Sequence, residues 1–283
     1  MQPIVDKVWH RWLKRPYRLA QAAGGVTDRR AVPVVLLHGL ASAGPAWQHV
    51  LEALDGQPYR TLTLDLLGHG ASPKPDWLRY DVDDHAWMVI AAIDRQRFRQ
   101  PVVLVGHSMG CLVAVRIARL RPDLVRHLIL YEMPLYSGLP DKRRYRLRLN
   151  LYFKLYERVI AYKPIFSGPG VGKAQRIAER FFGLRFDDQS WKPFIRSLKH
   201  TIMEQTTADD LKHVTVPMDV IYGSRDRVVF RGKTTALFGE DVKNVTAYTV
   251  KASHNISRKA SEFLAQRIVH AATTSTAQVA RGE

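Results

Sequence analysis

The chain has 283 residues, 46% of them hydrophobic, so it is long enough for one large α/β domain or two smaller ones. Its one cysteine, Cys111, excludes an internal disulfide and a zinc site built on cysteines. The formal net charge of +17 makes polyanions candidate binding partners. However, the sequence has neither zinc-finger spacing nor the glycine–aromatic pattern of RNA-binding sheets, so we do not expect a nucleic-acid partner.

The N-terminal stretch, MQPIVDKVWHRWLKRPYR, carries charges where a secretory signal needs an apolar run. No stretch of the sequence reaches 18 consecutive apolar residues, which is the length that predicts a membrane-spanning helix. We therefore expect a cytoplasmic protein, at most peripheral to a membrane.

Apolar runs typical of buried strands then recur along the chain. They lie at 34–37, 61–64, 102–105, 128–131, 216–222 and 245–250. Helical patterns separate several of these runs, at 47–54, 83–98 and 111–120. Strands that alternate with helices predict an α/β fold with a mostly parallel central sheet and helices on both faces.

The alternation stops between residues 134 and 208, where only helical patterns are found, at 142–162, 173–182 and 191–206. We therefore predict a core formed by 1–133 and 209–283, with a helical cap, 134–208, inserted into it. The insertion is basic, with 15 Lys/Arg against 5 Asp/Glu between residues 139 and 200. Its first helical pattern mixes basic and apolar residues as an interfacial helix does, which suggests contact with an anionic membrane or preference for an anionic acyl substrate.

The stretch Gly106-His107-Ser108-Met109-Gly110 joins a predicted strand directly to a predicted helix. Gly-x-Ser-x-Gly in that setting is typical of a nucleophile elbow, a sharp turn that lifts a serine hydroxyl above the sheet edge. The two glycines lack a Cβ and let strand and helix approach closely. We predict that Ser108 is a nucleophile.

A serine hydroxyl needs a base, and the base needs a carboxylate that fixes its tautomer. His254 follows the last predicted strand and precedes a C-terminal helix, so it is the predicted base. Asp226 follows the preceding strand and is the predicted acid; Glu132, directly after the strand that ends at Tyr131, is the alternative acid. Backbone amides of Leu40 and Met109 are the predicted oxyanion hole, because both follow strands that end near the serine.

These pieces together resemble the α/β-hydrolase fold superfamily, in its capped, esterase-like branch. The matching motifs are HGLASAGPAW (38–47), DLLGHGAS (65–72), GHSMG (106–110), YGSRDRVV (222–229) and SHNI (253–256). The resemblance implies a Ser108–Asp226–His254 triad, a helical cap over the site, and neither cofactor nor metal. A serine rather than an aspartate at the elbow disfavours epoxide hydrolase and haloalkane dehalogenase chemistry.

The sequence thus predicts a serine hydrolase that cleaves small-molecule carboxylic esters through an acyl-enzyme. The same triad also serves lactonases, thioesterases, carbon–carbon hydrolases and acyltransferases. A different class of function is a ligand-binding receptor, or a basic membrane- or nucleic-acid-binding protein with a vestigial triad. Candidate pocket residues, each of which could equally fix the cap to the core, are Tyr152, Phe153, Tyr156, Phe181, Phe182 and Trp191. The sequence does not indicate the oligomeric state.

Overall fold

A central sheet of seven strands organises the protein in its computed structural model, which describes residues 8–135, 154, 188–226, 228–229, 238, 242 and 244–274. The strands are β1 (Gln21–Gly25), β2 (Val32–Leu37), β3 (Tyr59–Leu64), β4 (Val102–His107), β5 (Val125–Tyr131), β6 (Met218–Gly223) and β7 (Val245–Val250). Their order in the sheet is β1-β3-β2-β4-β5-β6-β7. All neighbouring strands are parallel except β1 and β3.

Helices cover both faces of this sheet, which confirms the predicted α/β architecture. They are α1 (Gln48–Ala53), α2 (Val82–Gln96), α3 (Met109–Leu120), α4 (Asp188–Ser197), α5 (Thr207–Leu211) and α6 (Arg258–Thr273). Short 3₁₀ turns, Gly44–Trp47 and Pro122–Leu124, precede α1 and β5. A π-helical turn, Leu198–Met203, continues α4.

The alternation of side chains along each central strand produces two separate cores. In β2, Val34 and Leu36 pack with α1 and α6, whereas Val35 and Leu37 pack on the opposite face with α2 and α3. All four side chains are fully buried. A strand covered on both faces needs an uninterrupted apolar run, which is why the sequence signal of these strands is strong.

The edge strand β1 has no such signal and was not predicted. Its residues, QAAGG, are exposed at every position, and it pairs antiparallel with β3 from Gln21 opposite Leu64 to Gly25 opposite Arg60. Backbone pairing with β3 rather than side-chain burial forms this strand, so hydropathy does not reveal it.

The predicted insertion is described in part. The helical patterns predicted at 142–162 and 173–182 lie outside the described residues, apart from the exposed, helical Lys154. The pattern predicted at 191–206 is realised as α4 followed by the π-helical turn. The boundaries of the cap, 134–208, remain a prediction. Among the described residues, no helix has the length and apolar character needed to cross a membrane.

Candidate active site

Ser108 occupies a tight turn between β4 and α3. Its backbone has φ 50° and ψ −119°, a conformation that L-residues rarely adopt and that is typical of strain held at functional sites. A Cβ on Gly106 would lie 2.7 Å from the backbone of Cys111, and one on Gly110 would lie 2.3 Å from the carbonyl oxygen of Leu37. Both elbow positions therefore require glycine, as the sequence analysis predicted.

The side chains of Ser108, His254 and Asp226 form one hydrogen-bonded chain. The Oγ of Ser108 lies 3.1 Å from Nε2 of His254, and Nδ1 of His254 lies 2.8 Å from Oδ2 of Asp226. If Nδ1 donates to the carboxylate, Nε2 is left as an acceptor for the serine hydroxyl. The fold thus brings together three predicted residues that are 118 and 28 positions apart.

Asp226 is held as a carboxylate. Burial opposes its ionisation, but hydrogen bonds from His254 and Glu132 outweigh that effect and lower the pKa of Asp226 to about 2. The backbone amides of Val228 and Val229 also donate to its Oδ1. A permanent negative charge at this position is what an imidazole needs when it accepts a proton.

Glu132, the alternative acid, lies behind Asp226 and is fully buried. Its Oε1 accepts a hydrogen bond from the amide of Gly223, and one of its carboxyl oxygens lies within 4.8 Å of an oxygen of Asp226. Since Nδ1 of His254 faces Asp226, the geometry favours Asp226 as the partner of the imidazole.

The predicted oxyanion donors lie on either side of the serine. Met109 is the first residue of α3, where amides point outward from the helix and favour negative charge. The turn before Leu40 packs on the elbow, since a Cβ on Gly39 would come 3.1 Å from the Cβ of Ser108. Neither the Leu40 amide nor the Met109 amide donates a hydrogen bond to any residue that the structure describes.

The His38 ring stabilises this turn through two hydrogen bonds. Its Nε2 accepts the amide proton of Leu66, so Nδ1 carries the other proton and donates to the carbonyl oxygen of Gly39 at 2.7 Å. Burial, with a further contribution from His69, lowers the pKa of His38 to about 3, so the ring is neutral. His38 thus positions the loop and does not face the reacting atoms.

The sequence analysis assigned no role to His107, but the structure places it against the base. Its Nε2 donates to the carbonyl oxygen of His254 at 2.8 Å, and the two rings lie 5.1 Å apart. The hydroxyl of Tyr131 donates to the neighbouring carbonyl of Ser253. These two bonds fix the backbone that carries His254. The only sequence signal was the presence of a histidine inside the elbow motif.

The predicted pocket is described at one position only. Tyr152, Phe153, Tyr156, Phe181 and Phe182 lie outside the described residues. Trp191, on α4, is 9% exposed and packs on Phe194 with ring centroids 5.8 Å apart. A cavity of about 230 Å³ lies near Val102, at the opposite end of β4 from Ser108, and is too distant to serve this site.

One group of possible metal ligands occurs among the described residues, formed by Glu132, Asp226 and His254 within 4.8 Å of one another. Both nitrogens of His254 already engage Ser108 and Asp226. The arrangement therefore suits a proton-transfer chain better than a metal centre.

Comparison with known proteins supports the same reading of the fold. A sequence model described as the alpha/beta hydrolase family matches residues 34–267, a range that contains the elbow, the acid and the base. The esterase (EaEST) from Exiguobacterium antarcticum is 19% identical and superposes with a TM-score of 0.69 over 90% of this chain and 96% of that chain.

Two curated relatives show how far the likeness extends. A protein named probable lysophospholipase BODYGUARD 1, from Arabidopsis thaliana, is 34% identical over 116 residues, which are 39% of this chain and 25% of the relative. This chain therefore spans about a quarter of the plant relative's length. The 2-(acetamidomethylene)succinate hydrolase of Mesorhizobium japonicum is 25% identical over 237 residues, or 81% of this chain and 84% of the relative.

Proposed function

Because this chain belongs to the alpha/beta hydrolase family, we propose that it is a serine hydrolase that cleaves carboxylic esters of small molecules through an acyl-enzyme. The observation that carries the proposal is the unbroken chain from Ser108 Oγ through His254 to Asp226, at 3.1 Å and 2.8 Å. Each link lies within the distance over which a proton can be transferred.

Acylation begins when Oγ of Ser108 attacks the ester carbonyl carbon while Nε2 of His254 removes the hydroxyl proton. The imidazolium that forms is stabilised by the Asp226 carboxylate. The carbonyl oxygen becomes an oxyanion, for which the amides of Leu40 and Met109 are the proposed donors; loss of one such donor typically raises the barrier by about 3 kcal/mol. Collapse of the tetrahedral intermediate breaks the ester C–O bond, and His254 gives its proton to the leaving alcohol.

Deacylation repeats the sequence with water. Nε2 of His254 takes a proton from a water molecule, whose oxygen attacks the acyl carbon bound to Ser108. The second tetrahedral intermediate expels Oγ, which recovers its proton from His254. The hydrogen bonds from His107 and Tyr131 to the backbone carbonyls of His254 and Ser253 hold the imidazole in place through both halves of the cycle.

The names of the relatives are compatible with acyl chemistry but differ in substrate. One is named a probable lysophospholipase and another a hydrolase of 2-(acetamidomethylene)succinate. Ester, thioester, lactone and amide bonds all present a carbonyl carbon to the same serine. The choice among them depends on the pocket, and five of its predicted residues lie outside the described residues.

The test is hydrolysis of p-nitrophenyl esters from short to long acyl chain, with S108A measured alongside. We expect turnover by the natural sequence and a loss of at least about 10⁴-fold in S108A, since removal of a triad nucleophile has this effect. Reaction with a fluorophosphonate, which labels activated serines whatever the natural substrate, separates a poor choice of ester from an inactive triad.

The matched control is C111S, which alters the one thiol in the chain, three residues from Ser108. Cys111 is fully buried, and burial raises the pKa of its thiol well above the usual value, so it is a poor nucleophile. C111S should keep both turnover and labelling. Ester turnover that persists in S108A, or fluorophosphonate labelling lost in C111S and kept in S108A, would show that the proposed nucleophile is wrong.

A further inference from the structure

Exposed apolar side chains concentrate in one short stretch near the N-terminus. Val8, Trp9, Trp12 and Leu13 have 45%, 46%, 79% and 57% of their surface exposed. They lie in or directly after a π-helical turn, Val8–Trp12. The other large apolar side chains that are exposed among the described residues, Val26, Trp87 and Leu120, are dispersed along the sequence. We refer to residues 8–13 as the aromatic turn.

The aromatic turn is attached to the body of the protein. The His10 ring stacks on Tyr17 with centroids 3.5 Å apart, and the Tyr17 side chain is 4% exposed. Arg95 on α2 donates hydrogen bonds to the carbonyl oxygens of Pro16 and Tyr17. The amide of Leu13 closes the turn on the carbonyl oxygen of Val8 at 3.0 Å. The exposed indoles are therefore presented by a folded segment.

Cationic residues are close in sequence to the exposed indoles. Residues 8–27 contain four cationic residues, Arg11, Lys14, Arg15 and Arg18, and neither aspartate nor glutamate. Lys14, Arg15 and Arg18 are exposed, and the Arg15 guanidinium lies 5.4 Å from the centroid of the Trp9 ring. A surface that combines tryptophan and leucine with exposed arginine and lysine is complementary to an interface that is apolar beneath and anionic above.

We propose that the aromatic turn docks this protein on the surface of a bilayer that contains anionic phospholipid. Trp9, Trp12 and Leu13 would enter the boundary between headgroups and acyl chains, while the neighbouring cations contact lipid phosphates. A second copy of this chain is a poorer occupant, because the contact would bring two cationic segments together. The proposal does not depend on ester hydrolysis.

A series of contacts links the aromatic turn to helix α4 through the buried Tyr17. The Tyr17 ring lies 6.4 Å from that of Trp77, and the residues on either side of Trp77 accept hydrogen bonds from Arg196 on α4 through their carbonyl oxygens.

The test is cosedimentation of the full chain with vesicles of phosphatidylcholine alone and of phosphatidylcholine with about 30% phosphatidylglycerol. We expect binding to the anionic vesicles that weakens as salt rises from about 50 mM to about 500 mM. W9A/W12A should bind at least about tenfold more weakly, because burial of each indole contributes to the partition. Replacing Lys14 or Arg18 with glutamine should weaken binding about fivefold each.

Matched controls separate the aromatic turn from other surfaces. W87A removes a tryptophan that is 40% exposed on α2, and K251Q/K259Q removes two exposed cations elsewhere; both should bind like the natural sequence. Thermal unfolding should be unchanged in W9A/W12A, since these side chains are exposed. Three results would overturn the proposal: no binding to anionic vesicles, equal binding by W9A/W12A, or a dimer in sedimentation that W9A/W12A converts to monomer.

Discussion

Acid should destabilise this protein through histidines that are buried in a neutral state. Burial is the largest cause that lowers the pKa of His38 and His107 to about 3 and that of His69 to about 4, from an ordinary value of 6.5. Burial also lowers the pKa of His85 well below 6.5. In the unfolded chain these rings bind protons below pH 6.5, whereas in the folded protein they stay neutral down to pH 3–4.

The sign and size of the effect follow from proton linkage. The unfolded state binds more protons throughout the window from pH 6.5 down to the folded pKa, so the free energy of unfolding falls as pH falls through it. For a ring with pKa 6.5 unfolded and about 3 folded, the loss between pH 7.5 and pH 5 is about 2 kcal/mol. Three such rings together give about 6 kcal/mol, a large share of the roughly 5–15 kcal/mol that stabilises a typical domain.

The assay is urea unfolding followed by circular dichroism at several values between about pH 7.5 and about pH 5, a range in which unfolded carboxylates remain ionised. H69Q should reduce the pH-dependent loss by about 2 kcal/mol, because one ring no longer takes up a proton on unfolding. H270Q, which alters an exposed histidine on α6, supplies the control and should leave that slope unchanged. An unfolding free energy that is flat between these pH values would refute the reasoning.

Three further predictions test individual contacts. D226N should lower kcat by about 10⁴-fold, since the amide favours the wrong imidazole tautomer; ester kinetics would show it, and near-normal kcat would contradict it. G110A should destabilise the fold by on the order of 3 kcal/mol, because the new methyl group would lie 2.3 Å from the Leu37 carbonyl oxygen; an unchanged melting temperature would contradict this. D210A should cost about 3–5 kcal/mol in urea unfolding, since it removes the fully buried partner of Arg116 at 2.9 Å, and a cost below about 1 kcal/mol would show that the pair is not stabilising.

Several parts of this protein follow from short stretches of sequence. The central strands are apolar without interruption because both of their faces are covered, so β2, β4 and β5 could be recognised from hydropathy alone. The elbow could be recognised because its strain and close packing permit few residues other than glycine at 106 and 110. These features depend on contacts between residues near one another in the chain or on burial that the whole strand shares.

Other parts depend on contacts between distant segments, and the sequence alone could not decide them. Asp226 and Glu132 both follow strands, and only the packing of β5 beside β6 shows that Nδ1 of His254 faces Asp226 while Glu132 lies behind it. His107 holds the backbone of His254 across 147 positions of sequence. The exposure of Trp12 is likewise invisible in composition, because a tryptophan in an amphipathic stretch is ordinarily buried, and only the folded surface leaves it uncovered.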